Sequence, residues 1–302
     1  MTIRKATRKQ AKLRLGISGP SGAGKTMGAL LLAYGITKDW DKIGLIDTEE
    51  GSGELYVGIE KHGVTVGEFL YTRISGKFPP KSYVDAILAM ENAGAEVIIV
   101  DSLTHAWAGT DGLLDKQGKI AAKSGNSYTA WRDVTPEHNA LVNAMLQSRS
   151  HIIATMRAKV EYAMQKGDDG KYKIQKMGMA PIQREGMEYE FTTFFDIDTN
   201  HRASTTKDRT DLFSSINASG NVEKLDFVIT PETGEKLLGW LNKGDSIAPL
   251  LSHEIESLLT KITLDEGDAQ DKFIIANKGN LRNLPDETLI KIKTYIEKEK
   301  LS

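Results

Sequence analysis

The chain contains no cysteine, which excludes disulfides and thiolate metal sites and fits a reducing compartment. It contains no apolar run of the ~18 residues that a membrane-spanning helix needs. The basic N-terminus leads into no apolar signal core, so a cytoplasmic protein without a membrane partner is expected. Nor is there a dominant charge: 39 Lys and Arg against 41 Asp and Glu leave a net charge of −2. Such a chain does not attract polyanions as a whole, and any nucleic-acid contact must come from local basic patches. No internal repeat and no low-complexity tract is present. What remains is an ordinary globular composition, 40% hydrophobic and 26% charged. Its 302 residues suffice for one substantial core and a small second domain.

The first fourteen residues carry Arg4, Lys5, Arg8, Lys9, Lys12 and Arg14 and no acid. Residues 1–12 read as a basic arm, either a solvated tail or a contact for a neighbouring subunit or a phosphate backbone. Beyond it, residues 13–18, 43–47, 97–101 and 151–155 are short apolar runs, as strands buried on both faces of a parallel sheet are. Residues 27–34, 81–93 and 137–148 between them show helical spacing. The alternation predicts an α/β domain with right-handed crossovers. After Met156 the period changes to two. Residues 160–166 and 171–177 flank Gly167-Asp168-Asp169-Gly170, and residues 188–198 and 202–207 flank a second turn, which predicts two β-hairpins. The core domain is expected over 13–244, a linker over 245–250 and a small helical module over 251–302. In that module Leu289, Ile290, Ile292, Tyr295 and Ile296 line one helix face.

Gly19-Pro20-Ser21-Gly22-Ala23-Gly24-Lys25-Thr26 matches the phosphate-loop pattern G-x-x-x-x-G-K-[ST]. Glycines let backbone N–H groups close around phosphate oxygens. Lys25 then reaches the β- and γ-phosphates, Thr26 ligates Mg²⁺, and the helix that follows turns its positive end to the anion. The loop follows an apolar strand and opens an apolar helix, which is the context the motif requires. Asp101 ends the strand 97–101, where a carboxylate beside the phosphate loop holds the Mg²⁺ shell, often through water. Glu49, after Asp47-Thr48, is the candidate to deprotonate the attacking water. Glu50 stays open on spacing alone.

The order phosphate loop, Asp47-Thr48-Glu49, Asp101-Ser102 and Ala154-Thr155-Met156-Arg157-Ala158-Lys159 resembles the RecA recombinase core. It is closer still to the phage-encoded RecA-like ATPases of the Sak-type single-strand annealing group. The resemblance covers roughly residues 12–244. It implies a RecA-like P-loop fold with a mostly parallel sheet, ATP and Mg²⁺ as cofactors, and ATP hydrolysis stimulated by DNA in a ring or filament. It further implies recombination or annealing of single-stranded DNA in the host cytoplasm, with a single-strand-binding protein as a candidate partner. By the same resemblance Glu49 is the catalytic base, and Tyr56, seven residues on, contacts adenine or simply packs in the core. Thr155 stands where the family places a γ-phosphate sensor, commonly Gln. Either the signal passes differently here, or the coupling between ATP and DNA is looser; Arg157 and Lys159, which follow at once, are candidate substitutes or else ordinary surface cations.

Thr206-Lys207-Asp208-Arg209-Thr210 resembles the paired-cation element whose side chains reach a neighbour's γ-phosphate in RecA and hexameric helicases. Lys207 and Arg209 are thus candidate catalytic cations in trans, or else a charged strand end. The hairpin after Lys159 occupies the place of the family's second DNA loop. With Arg157, Lys159, Lys166, Lys171, Tyr172, Lys173 and Lys176, and Arg184 beyond, it offers cations for phosphates and aromatic faces for bases. Asp168 and Asp169 at its tip weaken that patch, and a solvated or subunit-contacting hairpin is the alternative. Two other functions fit the same core: a nucleotide-switched assembly protein acting on a protein partner, and a small-molecule kinase. No Arg-rich lid segment supports the kinase.

Overall fold

The computed structural model describes residues 10–166, 172–216, 221–243 and 248–300. Its elements begin with β1 (Arg14–Gly19), α1 (Lys25–Thr37), β2 (Ile43–Asp47), the short pair β3 (Glu60–Lys61) and β4 (Val64–Thr65), and β5 (Leu70–Arg73). Next come α2 (Pro80–Asn92), β6 (Val97–Asp101), α3 (Thr104–Ala108), α4 (Leu113–Ser124) and α5 (Ser127–Gln147). β7 (His151–Lys166), β8 (Tyr172–Pro181), β9 (Thr193–Ile197) and β10 (Ala203–Asp208) follow, then β11 (Ser214–Ile216), β12 (Val222–Lys224) and α6 (Pro231–Leu241).

β1, β2 and β6 are buried at every residue because both faces of their sheet are covered. The strand order is β10-β9-β1-β7-β6-β2-β5. All neighbours in it are parallel except β10, which runs antiparallel to β9. The expected α/β fold with a mostly parallel sheet is therefore present. Parallel pairing brings the C-terminal ends of β1, β2, β6, β7 and β9 to one edge, where ligands of such sheets bind. One core cluster packs Tyr83, Ile87 and Met90 of α2 and Leu141 and Met145 of α5 onto Ile98, Val100 and Ile152.

β7 has two halves. Ile152–Arg157 pairs with β1 in the sheet, and Ala158–Lys166 leaves it to pair antiparallel with β8 as a ribbon. The ribbon is the first expected hairpin. The second is β9–β10, but β9 starts only at Thr193 because Met187–Glu190 forms a 3₁₀ turn instead of strand. α5 starts ten residues before its apolar spacing does. Asn126 caps it, its side chain accepting from Tyr128 N at 2.9 Å and Thr129 N at 3.2 Å. The edge strand β5 and helix α4 had no clear signal in the sequence, since β5 is only half-buried and α4 buries a single residue, Leu113.

Lys12–Trp240 forms one compact unit, and Leu241 onward belongs to a second. In the second, α7 (Ala248–Leu259), α8 (Ala269–Asn277) and α9 (Asp286–Tyr295) enclose their own cluster of Ile255, Leu259, Ile274, Leu281, Leu289, Ile292 and Ile296. The expected linker over 245–250 is in part helix, since α7 begins at Ala248, and residues 245–247 lie outside the described residues. So does the basic arm up to Lys9. Among the described residues no helix is long and apolar enough to cross a membrane.

Candidate functional site

β1 delivers the chain into a tight loop at the ligand edge of the sheet, and α1 starts at Lys25. Gly22 and Gly24 hold φ of 78° and 88°, a region that strains any residue with a Cβ. Lys25 Nζ donates to Pro20 O at 2.8 Å, closing the loop on itself. Burial lowers the Lys25 pKa, opposed by the charges of Asp101 and Glu49 nearby. A phosphate would supply the anion that this buried ammonium lacks within its own loop.

Thr26 Oγ1 donates to Asp101 Oδ2 at 2.5 Å. The other carboxylate oxygen accepts from Thr155 Oγ1. Asp101 is buried, which pushes its pKa up, against the two threonine hydrogen bonds that pull it down. Thr26 and Asp101 are hard oxygen donors of the kind Mg²⁺ prefers. Among the described residues no group of three or more His, Cys, Asp or Glu could hold a metal. An ion here would therefore complete its shell with phosphate oxygens and water, as nucleotide-borne Mg²⁺ does. Thr155 is fully buried, and its hydroxyl is turned to the Asp101 carboxylate. Tyr56 hydrogen-bonds Thr26 and feels the Asp101 charge, which with burial raises its pKa. Its hydroxyl thus lies beside the Thr26–Asp101 pair.

The turn after β2 is built by Asp47, which the sequence reading gave no role. Its carboxylate accepts from Glu49 N at 2.5 Å, Gly53 N at 3.0 Å and Tyr71 Oη at 3.0 Å. The folded turn sends Glu49 inward and Glu50 outward. Glu50 sits at φ 60° and pairs with Arg73 of β5 at the surface. Glu49 Oε1 accepts from Ser102 Oγ at 3.1 Å and from Arg157 Nε at 2.9 Å, and Oε2 meets Arg157 Nη2. Burial raises the Glu49 pKa, but the hydrogen bond and charge of Arg157, with help from His105 and Ser102, hold it below the usual carboxylate range. Thr48 Oγ1 lies 2.7 Å from His105 Nδ1, so His105 braces the same turn from α3. Burial lowers the His105 pKa.

The remaining expected site residues lie apart. Lys159 is exposed on β7 just beyond Arg157. Lys166, Tyr172, Lys173 and Lys176 occupy the ribbon strands, with side chains outside the described residues, as Lys171 is altogether. Arg184 stands near His138, whose imidazole is lowered to about 4 by burial and by that charge. Lys207 Nζ donates to Tyr189 O. Arg209 falls one residue past the end of β10, and β10 has a bulge between Thr205 and Lys207. The two cations, two apart in sequence, thus do not leave one regular strand face. They are still neighbours, since after burial the Arg209 charge lowers the Lys207 pKa. One contact had no sequence signal: His201, in the β9–β10 turn, places Nδ1 3.0 Å from Ala23 O of the phosphate loop.

A strand, a glycine loop and a helix holding Lys25 and Thr26, with a strand-end Asp101 against Thr26, define a P-loop NTPase. The family model of the AAA domain matches residues 11–218, and the chain belongs to that family. P-loop NTPases generally bind ATP with Mg²⁺, and the oxygen donors and buried ammonium here fit both. No curated protein matches the chain.

Proposed function

We propose that this AAA-domain ATPase is of the RecA-like kind, hydrolyses ATP in an assembled state, and acts on single-stranded DNA in recombination or annealing. The observation that carries this reading is the course of β7. Thr155 on that strand touches Asp101. Two residues later the strand leaves the sheet as the ribbon that bears Lys159, Lys166, Tyr172, Lys173 and Lys176. One strand therefore runs from beside the metal-end carboxylate into a ribbon whose sequence carries cations and tyrosines, the residue types that track a single strand.

In this reading residues 19–26 and Lys25 hold the phosphates, and Thr26 and Asp101 hold Mg²⁺. The ion, when bound, neutralises charge that develops on the phosphate oxygens. Glu49 takes the proton of the attacking water. Lys207 and Arg209 stabilise the transferring phosphoryl group of a neighbouring subunit in a ring or filament. The test is ATP turnover per subunit across protein concentration, with and without single-stranded DNA. Turnover should rise with both. A rate indifferent to DNA would favour the reading in which a protein partner is the target, and a rate indifferent to concentration would remove the trans cations.

A further inference from the structure

Glu49 is assigned as the base, yet both its oxygens are already engaged, three donors converging on them from Arg157 and Ser102. A carboxylate gripped by a guanidinium fork is a poor proton acceptor, because the fork stabilises its ionised form. Arg157 is placed to do more than fill a surface. Its backbone N donates to Thr104 Oγ1 at 2.9 Å, and its carbonyl accepts from Ile182 N at 2.7 Å. It is thus the residue at the root of the β7–β8 ribbon, where the two strands close. Its side chain is 45% exposed, against 24% for Glu49, so an incoming anion meets the guanidinium first. A backbone phosphodiester matches the same fork geometry and carries the same single charge as a carboxylate, so it can compete for the guanidinium.

We propose that Arg157 is a positioning residue that holds Glu49 out of action, and that a backbone phosphate of a bound single strand draws it off. Released, Glu49 takes the water proton as the new bond to phosphorus forms and the bond to the ADP leaving group breaks. This deepens the DNA reading above and rests on Glu49 being the base. It also gives a route from ribbon to chemistry that needs no long polar sensor at position 155.

The test is steady-state hydrolysis by the full chain at saturating Mg-ATP, with and without poly-dT, for the wild type, Arg157→Ala and Arg157→Lys. Binding of a fluorescent ATP analogue reports that each variant folds. Arg157→Ala should raise DNA-free kcat several-fold with KM for ATP unchanged, and its stimulation by poly-dT should fall towards none. Arg157→Lys keeps the charge without the fork and should lie between. Adding Glu49→Gln to Arg157→Ala should erase the gain, as it must if the effect passes through Glu49. A DNA-free kcat of Arg157→Ala equal to or below that of wild type, with normal nucleotide binding, would overturn the proposal. Should Arg157→Ala fail to bind the analogue, the same criterion applies to Arg157→Lys. A wild type indifferent to poly-dT defeats the single-strand reading separately, and a raised DNA-free kcat would still support the hold on Glu49.

Discussion

The two ends of the β9–β10 hairpin behave differently. Its turn sits at the ligand edge of the sheet, where His201 contacts the phosphate loop and several polar side chains hold one another. Thr26 and Thr155 hold Asp101, Asp47 builds the turn that aims Glu49, and Arg157 and Ser102 hold Glu49. The open end lies at the opposite edge. Lys207 is level with Phe194 and Asp208 with Thr193, which stand beside Gly16 and Leu15 of β1, whereas the phosphate loop starts at Gly19. There Lys207 reaches a lone backbone carbonyl, and the Arg209 side chain makes no hydrogen bond or ion pair among the described residues. The first end is a site that one chain completes. The second carries two cations at a sheet edge, Lys207 under the opposing charges of Glu190 and Glu188 and Arg209 without an ion pair among the described residues. Of the two, Arg209 is the one left open to an anion from elsewhere.

The largest effect that could break this comparison is at the completed end. Lys25→Ala removes the one ammonium buried in the loop and should abolish hydrolysis while leaving the melting temperature close to wild type. Normal turnover by this variant would remove the site assignment altogether. At the other end, Arg209→Ala should bind ATP nearly as wild type yet lose ~10³ or more of assembled turnover, the scale of a cation supplied in trans. Mixed with Lys25→Ala subunits it should regain part of the activity, since some interfaces then pair an intact loop with an intact cation. Failure to regain activity at every mixing ratio would place these cations in cis or outside the reaction. The next effect is smaller. Glu49→Gln keeps the shape but loses the base and one acceptor of the Arg157 fork, so ATP should bind while hydrolysis falls ~10². Glu50→Gln should cost almost nothing, because Glu50 faces Arg73 at the surface.

The same contrast marks what was legible in the sequence. The phosphate loop was readable because its chemistry is local: eight consecutive residues between an apolar strand and an apolar helix. Asp101 was readable only in company: an apolar strand ending in Asp is common, and the phosphate loop upstream is what gave this one a task. Choosing between Glu49 and Glu50 was not possible from spacing, since adjacent loop residues point apart only once Asp47 has folded the turn. The Arg157 grip on Glu49 spans 108 residues, and no periodicity reports it. Arg209 was placed on a strand that stops at Asp208, because the Asp208 carboxylate accepts from Thr210 N at 2.8 Å and Phe213 N at 3.1 Å and turns the chain. Sequence patterns carried the strands and the loop. Side chains that close turns decided where the functional groups point.

The smallest loss expected within the site is the one that ties the two ends together. Ala23 O can only accept, so the proton on the imidazole of His201 must sit on Nδ1, and the contact is a donated hydrogen bond from the hairpin turn to the phosphate loop. His201 itself is fixed by its neighbours: Asp198 Oδ1 accepts from Asn200 N and Arg202 N, each at 2.8 Å, and His201 N donates to Asp198 O at 3.1 Å. The loop is thus shaped in part before any phosphate arrives, and a preshaped loop loses less entropy on binding. A neutral, part-buried hydrogen bond is worth about 0.5–1.5 kcal/mol, so His201→Ala should weaken nucleotide binding by roughly twofold to tenfold. Turnover at saturating ATP should change little, because the contact is made before chemistry. Because β10 continues from this turn to Lys207, the same variant should also blunt any dependence of ATP affinity on protein concentration. Titration of a fluorescent ATP analogue at two protein concentrations measures both effects. Unchanged affinity at each concentration would show that the hairpin only rests on the loop, and that its two ends work independently.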